Sequence, residues 1–458
     1  MQMKKGEIIE VDISTLAFGG KGLGKLDGKA VFVDLAVPGD KVKASVTKIK
    51  TSYLEAKLVE ILVPSEKRVK PKCQYFGVCG GCQFQHLPYE NQLEIKKQHV
   101  IDAFERIGEL PNPPVMEILR SENHYYYRNK MEFSLGYDAE MKFAMGMHLP
   151  GRRYDILDLK ECHLQSEVSA GIVNAVREWA ISNDLKPYRF QTEEGELKAL
   201  YIRESKRTNE RMVNLVTAEK VPENFEELLG KLSAILAEME VTSFYWSQII
   251  SHRGSPRRTV EYLISGKRTI TEKMVLANGD ELSFEIHPQA FFQVNTLQAE
   301  VLYYEVVKLV EENPGELIFD LFCGTGTIGL FLAKHCKKVL GVELNKDAVK
   351  SAVSNAQKNK IFNIDFFAGD VAKVLEDLKE KPSLIVVDPP RAGMTAKMIK
   401  QVSDFGTKKL IYVSCNPATM ARDCLLLREF GFKVKKIQPV DMFPQTFHIE
   451  NVALLERE

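Results

Sequence analysis

No apolar run in the chain is long enough to cross a bilayer. The opening residues, MQMKKGEIIEVDI, hold no apolar signal core, so a cytoplasmic protein without membrane contact is expected. Net charge is also missing: 62 Lys and Arg balance 62 Asp and Glu, so overall charge points to no partner. Cysteine is sparse. Eight in 458 residues are too few for a disulfide scaffold, and any group of them in a reducing compartment points instead to metal binding or catalysis. Neither repeats nor low-complexity tracts occur, which excludes solenoid and fibrous architectures.

What is present is a globular composition, 45% hydrophobic and 27% charged, in a chain too long for one core. Residues 1–63 carry short apolar or alternating runs, EIIEVDIS, KAVFVDLA, KVKASVTKI and YLEAKLVEIL, divided by Gly- and Pro-marked turns. About five such strands predict a small closed barrel of the OB type, with residues 19–29 as either a flexible basic Gly/Lys loop or an ordinary hairpin turn. Residues 1–72 hold 14 Lys and Arg against 9 Asp and Glu, a local excess that suits a polyanion and equally a solvated face.

Residues 64–275 read as a mixed α+β region, with a helix over YENQLEIKKQHVIDAFERIG, strands at KMEFSLGY and KFAMGMHL, a helix over 164–183 and a strand pair at ALYIRES and RMVNLVT. In residues 276–458 strands and helices alternate, after a helix headed by Asn295 with Gln298 as its capping-box partner. That alternation predicts a mainly parallel, doubly wound sheet, whose ligand sits beyond the carboxyl ends of the strands.

The strand ends carry Asp320, Phe322, Glu343, Asp370, Asp388 and Cys415. Asp320 precedes FCGTGTIG, a G-x-G-x-x-G turn that by itself suits a nicotinamide or flavin nucleotide. Glu343 ends the next strand, where a carboxylate accepts from ribose hydroxyls. Two features favour S-adenosylmethionine: Asp320 is placed to meet an ammonium group, and Asp370 and Asp388 would repel a pyrophosphate. DPPR at 388–391 holds its carboxylate rigidly, because proline fixes φ. Cys415, before a helix start at Asn416–Pro417 and with Arg422 further on, is placed for thiolate chemistry. Upstream, Cys73, Cys79 and Cys82 form C-x5-C-x2-C, with Cys162 far along the chain. A [4Fe–4S] cluster and tetrahedral zinc both fit that spacing.

FFQVN, DLFCGTGTIGLFLA, VVDPPRAG, YVSCNPATMARD and DMFPQTFHIENV together resemble the RNA uracil-C5 methyltransferase family, and the N-terminal segment resembles its TRAM domain. The resemblance spans nearly the whole chain and is weakest at about 165–280. It implies a Rossmann-like class I methyltransferase domain, with the central domain carrying a [4Fe–4S] cluster on Cys73, Cys79, Cys82 and Cys162. By the same resemblance Cys415 is the nucleophile and Glu450 the base, and Gln293, Phe322, Glu343, Asp370 and Asp388 hold the donor. The implied substrate is ribosomal RNA, with the tRNA T-loop as alternative, because members that modify tRNA usually lack the barrel and the upstream cysteines. A monomer is expected. Position 327 is Thr where some relatives have Asn. His448 is read as structural or at the surface, and Cys323, Cys336 and Cys424 as packing residues. Adenine-N6 enzymes share the D/N-P-P motif but carry an aromatic where Arg391 stands. Cytosine-C5 enzymes often place a cysteine directly after the prolines, and this chain has none there. An RNA-binding module with a relict donor site would not need Cys415 or Glu450.

Overall fold

The computed structural model describes residues 3–457 except 153, 252–257 and 313–315. The described residues form a closed barrel of five strands, two seven-stranded sheets and a two-stranded hairpin.

The barrel comprises β1 (Ile8–Leu16), β2 (Gly22–Leu26), β3 (Lys29–Asp34), β4 (Lys41–Ile49) and β5 (Tyr53–Val63), closed in the order β1-β2-β3-β5-β4. Alternation along β1 and β4 turns Val11, Ile13, Val42, Ala44 and Val46 inward. Of the two readings of residues 19–29 the hairpin holds: they are largely β2 and its turn into β3. Asp27 and Gly28, at φ 48° and 77°, make the left-handed pair that a two-residue hairpin needs. Gly22 and Gly24 let β2 lie close against its neighbours: a Cβ at Gly24 would stand 2.4 Å from the Asp12 carbonyl oxygen.

After the cysteine-bearing turns comes α1 (Tyr89–Arg106). Sequence grouping places it with the central region, yet Val100 and Phe104 are buried with Met420 and Leu427 in the core of the C-terminal sheet. The central sheet follows: β6 (Lys130–Tyr137), β7 (Phe143–His148), β8 (Ile156–Asp158), α2 (Glu167–Ser182), β9 (Leu197–Glu204), β10 (Arg211–Ala218), α3 (Phe225–Glu238), β11 (Ser243–Ile250) and β12 (Arg258–Gly266). Its order is β12-β11-β10-β9-β6-β7-β8, with Val176 and Trp179 of α2 and Leu232 of α3 packed into its core. The hairpin of β13 (Ile270–Val275) and β14 (Glu281–Ile286) straddles the boundary expected at 275. Its Met274 and Phe284 pack with Leu302 and Val306, in the C-terminal core.

That core is built on α4 (Thr296–Glu311), β15 (Leu317–Leu321), α5 (Thr327–Leu332), β16 (Lys338–Glu343), α6 (Lys346–Lys358), β17 (Ile364–Ala368), α7 (Val371–Asp377), β18 (Leu384–Val387), α8 (Ala396–Asp404), β19 (Lys409–Ser414), α9 (Pro417–Arg428), β20 (Phe432–Val440) and β21 (Glu450–Arg457). The strand order is β17-β16-β15-β18-β19-β21-β20, parallel through β19 and antiparallel at β21 and β20. Covered on both faces, β18 is buried throughout, as a central parallel strand must be. Order reverses between β15 and β18, which opens a crevice at their carboxyl ends. Asn295 caps α4 by accepting from the Gln298 N–H, but the Gln298 side chain donates to the Leu119 and Arg120 carbonyls, so no reciprocal capping box forms. Among the described residues no helix is long and apolar enough to cross a membrane.

Candidate active site

The crevice widens into a cavity of about 1540 Å³ lined by Gln293, Phe322, Glu343, Asp370, Asp388, Cys415 and Glu450. Residues from the ends of five strands and the start of a sixth thus meet there, although they are spread from 293 to 450 in the chain. Thr259 and Glu261 of β12 also line it, so the central sheet supplies one wall.

The glycine turn shapes the floor. Gly324 and Gly326 have φ of 55° and 78°, and a Cβ on Gly326 would lie 2.7 Å from the Phe366 ring. Phe322 also holds a left-handed φ of 65°, a strained conformation for an aromatic residue and one that clusters at ligand sites. The Glu343 carboxylate accepts from the N–H groups of Gly324 at 3.1 Å and Asn345 at 2.8 Å. Asp370 caps α7 by accepting from the Lys373 N–H at 3.2 Å, so this residue has a structural task as well.

Asp320 departs from expectation. It does not line the cavity, and its side chain lies fully buried with neither oxygen hydrogen-bonded at good geometry. A Cβ on Gly329 would stand 2.8 Å from Asp320 Oδ2, which places the carboxylate beneath α5. Burial, then the Asp388 charge, push it up to about 7, partly opposed by the Gly329 N–H. Asp388 keeps some surface open to the cavity but is deep enough that burial raises it to about 7 as well.

Cys415 and Glu450 act on one another electrostatically. Burial is the first cause pushing the Cys415 thiol up to about 11, and Glu450 adds to it. The opposing group is Arg391, beside the thiol, rather than Arg422. Arg422 is taken up by Asp423 and the carbonyls of Ala392 and Met394. A helix start at Asn416 therefore does not leave a resting thiolate, because burial outweighs it. Burial and Asp388 hold the Glu450 carboxyl well above its usual range, again against Arg391. His448 also lines the cavity, its ring tilted against Phe447 with centroids 4.1 Å apart, and burial with Arg391 and Lys96 lowers it to about 4, so it is neutral. Sequence reading passed over Arg391 and the buried Tyr303 as site residues. The position directly after the two prolines was the available signal for Arg391, and Tyr303 had none.

The upstream cysteines are elsewhere and near one another. Burial raises all four thiols, Cys82 to about 12, and Cys162 contributes to the shifts at Cys79 and Cys82. As placed, no group of three or more His, Cys, Asp or Glu among the described residues could hold a metal ion.

The profile of the tRNA (uracil-5-)-methyltransferase family matches residues 88–458, and that of the TRAM domain matches residues 2–59. The chain belongs to the tRNA (uracil-5-)-methyltransferase family. It is accordingly an S-adenosylmethionine-dependent RNA (uracil-C5)-methyltransferase with a TRAM barrel. Among its relatives, an uncharacterized RNA methyltransferase of Chlorobaculum tepidum is 38% identical over 100% of this chain and 98% of its own. Another, from Caldanaerobacter subterraneus subsp. tengcongensis, is 37% identical over 99% and 100%. The tRNA (uracil-54, C5)-methyltransferase of Pyrococcus abyssi, solved with S-adenosyl-L-homocysteine, superposes with a TM-score of 0.77. It is 28% identical over 98% of this chain and 100% of its own. A tRNA enzyme thus shares the full layout, so the barrel cannot separate ribosomal from transfer RNA as a substrate.

Proposed function

We propose that the enzyme methylates C5 of a uridine in ribosomal RNA through a covalent adduct, with Cys415 as nucleophile and Glu450 as base. One observation carries this reading: a half-buried thiol and a buried, electrostatically coupled carboxylate share a cavity with the carboxyl ends of the parallel strands. Uracil C5 is a poor nucleophile until a group adds at C6. Once deprotonated, Sγ of Cys415 bonds to C6 and the C5=C6 electrons move into an enolate. C5 then takes the sulfonium methyl group, leaving a neutral thioether. Glu450, once ionised, removes the C5 proton, and that electron pair re-forms C5=C6 and expels Sγ. Arg391 beside Sγ favours the thiolate. Gln293, Phe322, Glu343, Asp370 and Asp388 hold the donor, with Glu343 facing the ribose. C5 is out of reach inside a helix, so the target base must be flipped out or unpaired.

Cys73, Cys79, Cys82 and Cys162 are proposed to hold a [4Fe–4S] cluster. Four soft thiol donors near enough to raise one another's pKa support it, as does the Gly81 N–H, 3.4 Å from the Cys79 sulfur. Bound there, the cluster would cross-link two distant chain segments, and no catalytic step passes through it. Metal analysis and visible absorption of anaerobically purified protein separate it from zinc.

Transfer RNA is the second reading, favoured by the full-length match to the Pyrococcus abyssi enzyme. Incubation with 5-fluorouridine-substituted 23S ribosomal RNA and tRNA transcripts, resolved on denaturing gels, tests both parts. An adduct with ribosomal RNA, lost in Cys415→Ala, is expected. No adduct with either RNA overturns the mechanism, and an adduct with tRNA alone overturns the substrate.

A further inference from the structure

The base sits at the end of a loop held almost entirely by the N-terminal half of the chain. Val440 and Glu450 are paired across β20 and β21, so residues 441–449 close directly on Glu450. Lys96, fully buried in α1, donates to Asp441 Oδ1 at 2.6 Å and to the Phe443 carbonyl at 3.0 Å. The Tyr89 hydroxyl donates to the other Asp441 oxygen at 2.8 Å. Gln92 grips the loop twice: its oxygen accepts from the Gln445 N–H and its amide donates to the Gln445 side chain, both at 3.0 Å. The Gln445 carbonyl in turn accepts from the N–H groups of Gln83 and Phe84, which directly follow Cys82. Gln445 is held at a φ of 69°, left-handed and strained for a side chain of its size. From the barrel, the Phe18 ring meets Phe447 at 5.0 Å.

The partners of this loop come from the barrel, the cysteine-bearing turns and α1. Cys415 is anchored by β19 and the α9 cap, and β19 pairs with β21, which sets Ser414 opposite Asn451 beside Glu450. The sheet thus sets the two reacting groups side by side, and the loop enters β21 at Glu450.

We infer that Gln92 and Lys96 are positioning residues for the base: by clamping residues 441–449 they hold Glu450 where it can remove the C5 proton, without affecting thiol addition. The inference rests on the proposed roles of Cys415 and Glu450, and it yields a signature that a general loss of structure does not. A misplaced base leaves addition and methyl transfer intact and slows only release, so enzyme accumulates as a covalent adduct on ordinary uridine RNA.

The test uses full-length protein, S-adenosylmethionine and a uridine-containing transcript that the wild type methylates. Gln92→Ala removes both grips. Gln445→Gly removes only the side-chain pair, keeps the carbonyl used by Gln83 and Phe84, and suits the positive φ, so it decides the matter should Gln92→Ala fail to fold. Turnover is expected to fall between about tenfold and a hundredfold, the range a small misplacement produces. KM for RNA should stay within about twofold, denaturant-stable adduct on ordinary uridine should rise, and adduct formation with 5-fluorouridine RNA should keep its wild-type rate. Wild-type turnover in Gln445→Gly overturns the inference, as does a fall matched by slower 5-fluorouridine adduct formation. Absence of any 5-fluorouridine adduct in the wild type instead overturns the covalent reading beneath it.

Discussion

The carboxylate of Glu343 accepts a hydrogen bond from the backbone N–H of Gly324 at 3.1 Å, so the end of β16 braces the glycine turn that follows β15. One residue thereby shapes the floor of the cavity and lines it.

Glu343→Ala should weaken donor binding by about 1.5–3 kcal/mol, the worth of hydrogen bonds to a charged group, or roughly 10- to 150-fold. Titration calorimetry with S-adenosylmethionine and S-adenosylhomocysteine checks it. Equal losses for both are expected, because the ribose is common to them.

The Cys415 thiol, pushed up to about 11 by burial and Glu450, is protonated at neutral pH. Only a small minority of molecules carries the thiolate near neutral pH. Alkylation of the Cys415 peptide by iodoacetamide, followed by mass spectrometry, should speed up about tenfold per pH unit from 7 to 10. In Arg391→Met the thiol loses its opposing charge, moves further up and reacts more slowly at every pH in that range.

Asp320 is raised to about 7 in the folded protein, against a usual value near 3.8. The folded state holds a proton that the unfolded state has lost between pH 4 and 7, so stability falls as pH rises through that window and levels off above it. Asp320→Asn keeps the shape without the charge. It should therefore be more stable than wild type at pH 8 by about 2–4 kcal/mol and similar at pH 4. Denaturant unfolding at the two pH values measures this.

Gly24→Ala places a Cβ 2.4 Å from the Asp12 carbonyl oxygen and from Val11 Cγ1, within the closed barrel. Backbone cannot yield there as a flexible side chain could, so a loss of about 1–3 kcal/mol is expected. Thermal unfolding reports it, and unchanged donor affinity shows that the damage stays in the barrel.

Much of the fold was legible because it is written in local pattern. Alternation marked the barrel strands, apolar runs between helices marked the parallel sheet, and Asn295 and Asn416 marked helix starts that the structure confirms. The strand-end rule brought Phe322, Glu343, Asp370, Asp388 and Cys415 to one cavity before any contact was known. The same rule misled at Asp320, since a residue inside a strand can point under the turn instead of over it. The glycine-rich 19–29 segment stays ambiguous between loop and hairpin in sequence, because glycine marks both flexible loops and strands that must pack closely.

Sequence by itself determined the elements, their order and the chemistry-bearing strand ends, because backbone preference and hydrophobic period depend on neighbours in the chain. Tertiary structure alone decided that Arg391 rather than Arg422 faces Cys415, that α1 joins the C-terminal core, and that the thiol rests protonated. Those are matters of burial and charge, which depend on distances in space between residues far apart in the chain.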